Sequence, residues 1–188
     1  MNAYAAVSPV GTDELLARAQ SGEREAFTEL VERHHAELVR VAYAITTDID
    51  AARDAAQLTW IKAWQRLPTV REPDRLRSWL IAIAANEARQ HIRAQRRRRL
   101  REITPVQPES ESGGSSNDHT GGGGSAERLD LEAVLVTLDP SDRQLLALRY
   151  LAGMNADEIG AAIGISGSGV RTKLSRLMAR LREELGND

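Results

Sequence analysis

A segment rich in glycine and serine, residues Ile103–Ala126, lies in the middle of the chain and limits what the rest can form. Its glycine, serine and charged residues cannot bury enough apolar surface to offset the entropy lost on ordering. The segment is therefore predicted to be a flexible linker, with a root-mean-square span of roughly 25–30 Å and a fully stretched reach of about 80 Å. The chain is expected to fold as two separate domains, residues 1–102 and 127–188.

Both flanking parts show the sequence pattern of helices. Alternating apolar and polar residues, which would indicate strands, are scarce, and alanine, leucine, arginine and glutamate dominate. Hydrophobic residues make up 41% of the chain, which is sufficient for a core, although each part alone is small. The expected fold is all-α, with two small helical domains joined by the linker.

In the first part, caps and breakers predict the helix boundaries. Thr12 is expected to cap a short first helix, and a long second helix follows. Asp48 marks the start of a third helix that runs to about Leu67. Residues Pro68–Pro73 are expected to form a loop, and Pro73 suits the first turn of the fourth helix because a proline there loses no hydrogen bond.

In the second part, two cap signals stand out. Asp139 followed by Pro140 predicts the start of a helix that is expected to end at Gly153. Asn155 and Glu158 have the spacing of a capping box, in which each side chain accepts a hydrogen bond from the backbone of the other residue. These signals predict two consecutive helices with a short connection.

The layout between residues 155 and 177 is that of a helix-turn-helix: a short helix, a tight turn at Gly164 and a second helix capped by Ser166. The outward side chains of the second helix can donate hydrogen bonds to phosphates and base edges in a major groove. They are Ser168, Arg171, Thr172, Lys173, Ser175 and Arg176. An ordinary helical hairpin with a solvated basic face would have the same layout.

A second basic region lies at the end of the first part. Between Ala88 and Arg101 there is no acidic residue, while arginines cluster at positions 89, 93, 96–99 and 101. Such a stretch can follow a nucleic-acid backbone with an affinity that falls as salt rises, although a solvated helix end would look the same. The net charge of −2 excludes a uniformly basic surface, so the distribution of charge carries the information.

Nothing in the sequence points to catalysis, a metal or a cofactor. The chain has no cysteine, which excludes disulfides, thiolate nucleophiles and cysteine-ligated zinc. His34 and His35 are adjacent and point in different directions on a helix, so they are interpreted as structural or exposed. Trp60, Trp64 and Trp79 could stack on unpaired bases, but tryptophans at helical spacing more often belong to a core. The protein is therefore not expected to be an enzyme.

Signals for export or membrane insertion are also missing. Residues Met1–Gly11 lack the basic and apolar regions of a signal peptide. The longest purely apolar run, Leu80–Ala85, is far shorter than a membrane span. A cytoplasmic protein with no membrane insertion is expected.

Taken together, four segments in order resemble the extracytoplasmic function group of the sigma-70 family of RNA polymerase sigma factors. Gly22–Tyr43 is similar to that family's opening segment, and Asp50–Leu67 to its polymerase-gripping helix. Arg77–Arg99 resembles the part that melts and reads the −10 element, and Leu138–Leu185 resembles the domain that reads the −35 element. The resemblance implies a factor that binds core RNA polymerase, through its beta-prime and beta subunits, and directs promoter-specific initiation.

The same resemblance implies residue roles. Asp54 and Gln57 match the helix face that binds the beta-prime coiled coil, and Pro68–Pro73 matches the loop that captures a flipped −10 base. The side chains implied in −10 recognition are Asn86, Arg89, Arg93 and Arg96, and those implied in −35 recognition are Ser168, Arg171, Thr172, Lys173 and Arg176. Promoter DNA and an anti-sigma factor are the further partners that the family suggests, and no cofactor is implied.

The sequence also departs from the family pattern. Gln90 stands where the family often has aspartate, and Gly167 and Gly169 stand at the start of the recognition helix, where glutamate and threonine are common. Each glycine destabilises a helix by about 1 kcal/mol relative to alanine. This end of the helix therefore departs from the family pattern both in its stability and in the side chains it offers for reading bases.

In the implied mechanism the two domains sit about two turns of DNA apart, roughly 70 Å, which the stretched linker can reach. Two other function classes stay open on the residues alone. One is a helix-turn-helix repressor or activator that binds DNA without polymerase. The other is a helical enzyme that acts on nucleic acid.

Overall fold

The computed structural model describes residues 11–102 and 137–185, which are helical with short connections and contain no strand. The all-α prediction is thereby confirmed, whereas the predicted linker at 103–126 lies outside the described residues. The helices are α1 Thr12–Gln20, α2 Arg24–Thr46, α3 Ile49–Arg66, α4 Leu76–Glu102, α5 Pro140–Leu146, α6 Ala156–Ile163 and α7 Gly167–Leu185. We call residues 11–102 the N-terminal module and residues 137–185 the C-terminal module.

Local cap signals position most of the helix starts. The Asp48 side chain accepts hydrogen bonds from the first amides of α3, Asn155 and Glu158 form the predicted capping box on α6, and the Ser166 hydroxyl accepts from the Gly169 N–H. The prediction for Thr12 is wrong, because Thr12 is the first residue inside α1 and Gly11 holds the cap position without a side-chain hydrogen bond. The chain thus enters α1 one residue earlier than the threonine suggests.

In the N-terminal module, α2, α3 and α4 pack against one another, and α1 lies on α2. Leu30, Leu38 and Ile45 of α2 are fully buried in the core. The buried face of α3 is made largely of alanine, at positions 52, 55, 56 and 63. Small side chains on this face let neighbouring helices approach closely, and the protein interior stays tightly packed.

Two polar contacts cross this module. The Lys62 ammonium of α3 pairs with the Glu87 carboxylate of α4, whose side chain is only 7% exposed. The Gln20 amide at the end of α1 donates hydrogen bonds to the carbonyls of Leu67 (3.0 Å) and Val70 (2.7 Å). The second contact holds the connection between α3 and α4, which contains two 3₁₀ turns at Leu67–Thr69 and Pro73–Arg75.

In the C-terminal module, the helix that begins at Pro140 differs from the prediction. It was expected to continue as one helix to Gly153, but it widens into a π turn over Ala147–Leu151, closed by a bond from the Ala152 N–H to the Ala147 carbonyl. A π turn adds one residue to the turn and rotates the following side chains. Leu151 therefore points to solvent, with 45% of its surface exposed, instead of joining the leucine stripe.

The two modules pack against each other. Helix α5 and the π turn contact α2, while α5 and α6 contact α4. One continuous cluster of buried apolar side chains contains Ala85 and Ala88 of α4 together with Leu145, Leu148 and Met154 of the C-terminal module. The two predicted domains therefore both contribute side chains to one buried apolar cluster.

Candidate polymerase and nucleic-acid interface

The outer face of α3 combines polar and apolar side chains. Asp54 and Gln57, the residues predicted to bind polymerase, are both exposed. Next to them on the same helix, Leu58 is 46% exposed and Ile61 is 56% exposed. Large apolar side chains that are grouped on a solvent-facing surface often mark a protein–protein contact, whereas single exposed apolar residues are ordinary. Sequence reasoning missed the two apolar residues, although their spacing from Gln57 on one helix could have revealed them.

The three tryptophans differ in their surroundings. Trp60 is buried, and its indole N–H donates to Nδ1 of His35 at 3.2 Å, which confirms a structural role for this histidine. Trp79 packs half-buried against the core. The core interpretation is wrong for Trp64, which is 41% exposed and lies edge-on against Phe27, with ring centroids 4.8 Å apart. Trp64 thus extends the apolar surface of α3.

The loop predicted to capture a −10 base faces the other module. A cavity of about 710 Å³ lies between the segment Thr69–Glu72, the Trp79 side of α4 and the segment Met154–Ala162. Leu67 is buried beneath this loop, and the two hydrogen bonds from Gln20 fix its backbone. The loop is therefore tied to α1 through its backbone, and the C-terminal module forms the opposite wall of its cavity.

The α4 residues predicted to read the −10 element do not form one free surface. Asn86 is half-buried, and its side-chain amide donates to the Ala162 carbonyl of α6 at 3.1 Å. Arg89 is also half-buried, and its guanidinium donates to the Gln144 side-chain oxygen of α5 at 3.3 Å. Arg93 and Arg96 are exposed. Two of the four side chains thus contact the C-terminal module.

Arg96 also acts electrostatically on the C-terminal module. Hydrogen bonds from the backbone and hydroxyl of Ser141 lower the pKa of Asp139, and the positive charge of Arg96 lowers it further. Burial lowers the pKa of Arg143, and Arg96 contributes in the same direction because like charges repel. The arginine-rich end of α4 therefore lies near the start of α5.

The α7 residues predicted to read the −35 element form a single exposed face. Val170 and Leu177 point into the protein, and the opposite side of the helix is solvent-exposed. That exposed face carries Ser168, Arg171, Thr172, Lys173 and Arg176. None of its three cations forms an ion pair with another residue in the described parts of the chain. A basic helix face of this kind can follow phosphates and reach base edges in a major groove.

Glycines shape the turn that presents α7. A Cβ atom at Gly160 would lie 2.6 Å from the Ile165 carbonyl oxygen. A carbon atom cannot approach a backbone oxygen that closely, so only glycine fits there. A Cβ at Gly167 would lie 1.8 Å from a carboxylate oxygen of Asp157, which packs beside the start of α7. Gly164 ends α6 with a positive φ of 78°. Gly160 is therefore a structural requirement that sequence reasoning missed, whereas the atom nearest to a Cβ at Gly167 belongs to the exposed side chain of Asp157, which can rotate away.

Other ligand chemistry has little support in the described residues. No group of three or more histidine, cysteine, aspartate or glutamate side chains within 11–102 and 137–185 is arranged to hold a metal ion. Burial lowers the pKa of His34, which lies beside Glu37 and Arg77. Among the same residues, no helix has both the length and the apolar character needed to span a membrane.

Two family profiles match the chain, Sigma-70 region 2 over residues 30–98 and Sigma-70 region 4 over residues 134–183. The sigma factor CnrH of Cupriavidus metallidurans is 33% identical over 97% of this chain and 98% of its own length. The sigma-E factor of Streptomyces coelicolor is 32% identical over 87% of this chain and 88% of its own. The probable sigma factor RfaY of Xanthomonas campestris is 31% identical, and the chain spans 43% of its length.

Two solved structures are similar to this chain over most of its length. CnrH in complex with the cytosolic domain of CnrY has a TM-score of 0.66 and 28% identity, covering 95% of this chain and 99% of CnrH. The sigma factor RpoE of Bartonella quintana in complex with the anti-sigma factor NepR has a TM-score of 0.65 and 25% identity, covering 86% of this chain and 98% of RpoE.

Proposed function

Because the chain belongs to the extracytoplasmic function group of the sigma-70 family, we propose a specific assignment of its surfaces within promoter-specific initiation. The chain is a sigma factor that binds core RNA polymerase and directs it to promoters, and sigma factors are regulatory proteins. In the proposed assignment, residues 1–102 bind polymerase and the −10 element, and residues 127–188 bind the −35 element. Residues 103–126 join them.

The observation that carries the −35 assignment is the exposed face of α7. Its cations have no internal ion pair within the described residues, so their charge is available to phosphates. Arg171 is the side chain that we assign to base-edge contact, because a guanidinium can make two parallel hydrogen bonds to guanine. Lys173 and Arg176 are assigned to the phosphate backbone, which sets register and salt dependence.

The polymerase contact is assigned to the outer face of α3. Asp54 and Gln57 supply polar contacts, and the neighbouring apolar residues Leu58, Ile61 and Trp64 supply the apolar centre of the interface. Such a patch has the composition of a contact with another protein, in which an apolar centre is surrounded by polar groups. The beta-prime subunit is the proposed partner of this face, and the beta subunit is a second proposed partner of the factor.

Recognition of the −10 element is assigned to α4 and to the loop at 68–73. Asn86 and the arginines 89, 93 and 96 are proposed to contact the melted strand, and the loop is proposed to take a flipped base. Strand opening would then follow from trapping unstacked bases, with no catalytic step in this chain and no cofactor. We place this activity in the cytoplasm, where promoter and polymerase meet.

An anti-sigma factor is a further proposed partner. CnrH is bound to the cytosolic domain of CnrY, and the sigma factor RpoE is bound to the anti-sigma factor NepR, in the two similar structures. The similarity covers both modules of this chain in each case, which supports a binding surface of comparable shape here.

Run-off transcription with core polymerase tests the proposed function. Purified chain plus core enzyme, offered a library of genomic fragments, should produce transcripts from a restricted set of promoters. The absence of any chain-dependent transcript, with core enzyme shown to be active with another sigma factor, would refute the assignment.

A further inference from the structure

We propose that Asp157 is a base-reading residue of the −35 contact, and that its carboxylate selects cytosine at the end of the DNA site that meets the start of α7. The inference rests on the proposed role of α7 in −35 recognition and adds a residue from the preceding helix to it. Asp157 lies in the first turn of α6 and is exposed.

The first argument is the place that the Asp157 carboxylate occupies. A Cβ atom added at Gly167 would overlap a carboxylate oxygen of Asp157 and would lie 3.4 Å from the Asp157 Cα atom. The carboxylate therefore fills the space that a side chain at position 167 would take. In a helix-turn-helix, the N-terminal residues of the second helix contact base edges. Asp157 thus supplies a functional group at a base-reading position where α7 itself has none.

The second argument is the row of side chains that continues from this point. Gly167 and Arg171 are four positions apart, so they lie one turn apart on the same face of α7. Arg171 is exposed, as is Asp157. Within residues 11–102 and 137–185, no ion pair joins the Asp157 carboxylate to a cation, so its oxygens are available to a ligand.

The third argument is the hydrogen-bonding character of the two groups. An ionised carboxylate only accepts hydrogen bonds, whereas the guanidinium of Arg171 only donates them. In the major groove, cytosine presents its N4 amino group alone, while the N6 amino group of adenine lies beside the N7 acceptor, which repels a carboxylate. Asp157 therefore favours cytosine, and Arg171 favours guanine. Positions 167 and 171 are about 6 Å apart along the helix, close to the rise of two base pairs.

The fourth argument separates Asp157 from a capping role in α6. The Asn155 side chain accepts hydrogen bonds from the Asp157 and Glu158 N–H groups, and the Glu158 side chain accepts one from the Asn155 N–H. The capping box is thus complete without the Asp157 side chain, whose carboxylate lies against the start of α7 instead. Its remaining structural contribution is a favourable interaction with the dipole of α6, which has no bearing on base preference.

A binding selection on duplex DNA tests the proposal. The full chain, alone and in complex with core RNA polymerase, is offered a library of duplexes with a randomised central segment. Asp157→Asn preserves the shape of the side chain and adds an amide donor, and a paired donor and acceptor suits N6 and N7 of adenine. Glu183→Gln removes the same charge from an exposed position near the far end of α7 and is the matched control.

We expect one position of the selected site to favour cytosine over adenine by at least about fivefold with the unchanged chain and with Glu183→Gln. With Asp157→Asn, the same position should change its preference to adenine, while guanine two base pairs away is retained. Both variants lose one negative charge, so a general gain in affinity for phosphates is common to them. An unchanged cytosine preference in Asp157→Asn would overturn the proposal, as would the absence of any enriched sequence with both the free and the polymerase-bound chain.

A second pair of variants tests the space at position 167 without a change of charge. Gly167→Ala forces the Asp157 side chain to rotate away and should abolish the cytosine preference. Gly169→Ala adds the same methyl group to the first turn of α7, at 3.3 Å from the Ser166 hydroxyl oxygen, and should leave the preference in place. Equal cytosine preferences in the two alanine variants would contradict the proposed position of the carboxylate.

Run-off transcription from the selected sites separates this inference from the proposed function. Chain-dependent transcription combined with an unchanged base preference in Asp157→Asn would refute the role of Asp157 alone. A change of the selected base without any chain-dependent transcription would refute the proposed function and leave the base contact in place.

Discussion

Helices α4 and α7 carry the same chemistry but differ in its availability. Both display arginines and small polar side chains assigned to nucleic acid, and on α7 these face solvent. On α4, Asn86 and Arg89 bond to the other module instead. Two helices with similar residue types thus differ in whether those side chains face solvent or bond to another part of the protein.

The largest expected effect comes from breaking the support of α7. Gly160→Ala would place a Cβ atom 2.6 Å from the Ile165 carbonyl, and relief of that overlap should distort the turn and destabilise the chain by about 1–3 kcal/mol. Urea unfolding followed by circular dichroism measures the change. At an unconstrained helix position the same substitution stabilises by up to about 1 kcal/mol. An increase in stability would therefore contradict the described turn.

The next effect concerns the face of α7 itself. Arg171→Ala should lower initiation at promoters with a −35 element by about tenfold or more, because a bidentate contact to a base contributes about 1–3 kcal/mol. Run-off transcription on matched promoters with and without that element measures it. Arg182→Ala, an exposed arginine further along α7, is the control and should have little effect. Equal losses on both promoters would argue against base reading by Arg171.

A third prediction concerns α3, which carries no basic face and is proposed to bind polymerase. Asp54→Ala combined with Gln57→Ala should weaken binding to core polymerase by about tenfold, in line with the loss of more than 1 kcal/mol typical of important interface residues. Surface plasmon resonance on immobilised core enzyme measures the affinity. Arg53→Ala, exposed on the same helix, is the control. Unchanged affinity of the double variant would remove the polymerase contact from this face.

The smallest effect is a change in salt dependence, which sharpens the comparison between α4 and α7. Each phosphate contact to a single strand contributes a slope of about −0.7 in a plot of log affinity against log salt. Gln144→Lys places a cation against Arg89, and Ser141→Lys adds the same charge at an exposed position. If loss of the bond to Gln144 frees Arg89, the slope for a mixed-sequence single-stranded DNA 20-mer should steepen by about 0.7 in Gln144→Lys relative to Ser141→Lys. Fluorescence anisotropy across salt concentrations measures it, and parallel slopes would mean that the α4 arginines were already available.

Local signals in the sequence predicted local structure well. Asp48, Asn155 with Glu158, and Ser166 cap helices as expected, because a cap depends on residues only two or three positions away. The helix-turn-helix prediction rests on signals of the same short range. Thr12 failed because a neighbouring residue, Gly11, could take the same position.

Features that depend on distant residues were not predicted from the sequence. The exposure of Trp64 follows from how α3 packs, and the exposure of Leu151 follows from a π turn that no local pattern indicated. The pairing of Arg89 with Gln144 joins residues on opposite sides of a predicted linker, and flexible linkers carry no information about which surfaces will meet. The sequence therefore led to a prediction of which side chains bind nucleic acid, but it did not indicate which of them face solvent.

The two hydrogen bonds from Gln20 to the carbonyls of Leu67 and Val70 have a consequence for the proposed capture of a base. A loop whose backbone is already held in place loses little conformational entropy when a ligand arrives, so a larger share of the contact energy remains as affinity. Helix α1, which is assigned no DNA contact, would thus act as a preorganising element. Through Gln20, a helix remote from the promoter would influence how firmly a single extruded nucleotide is retained.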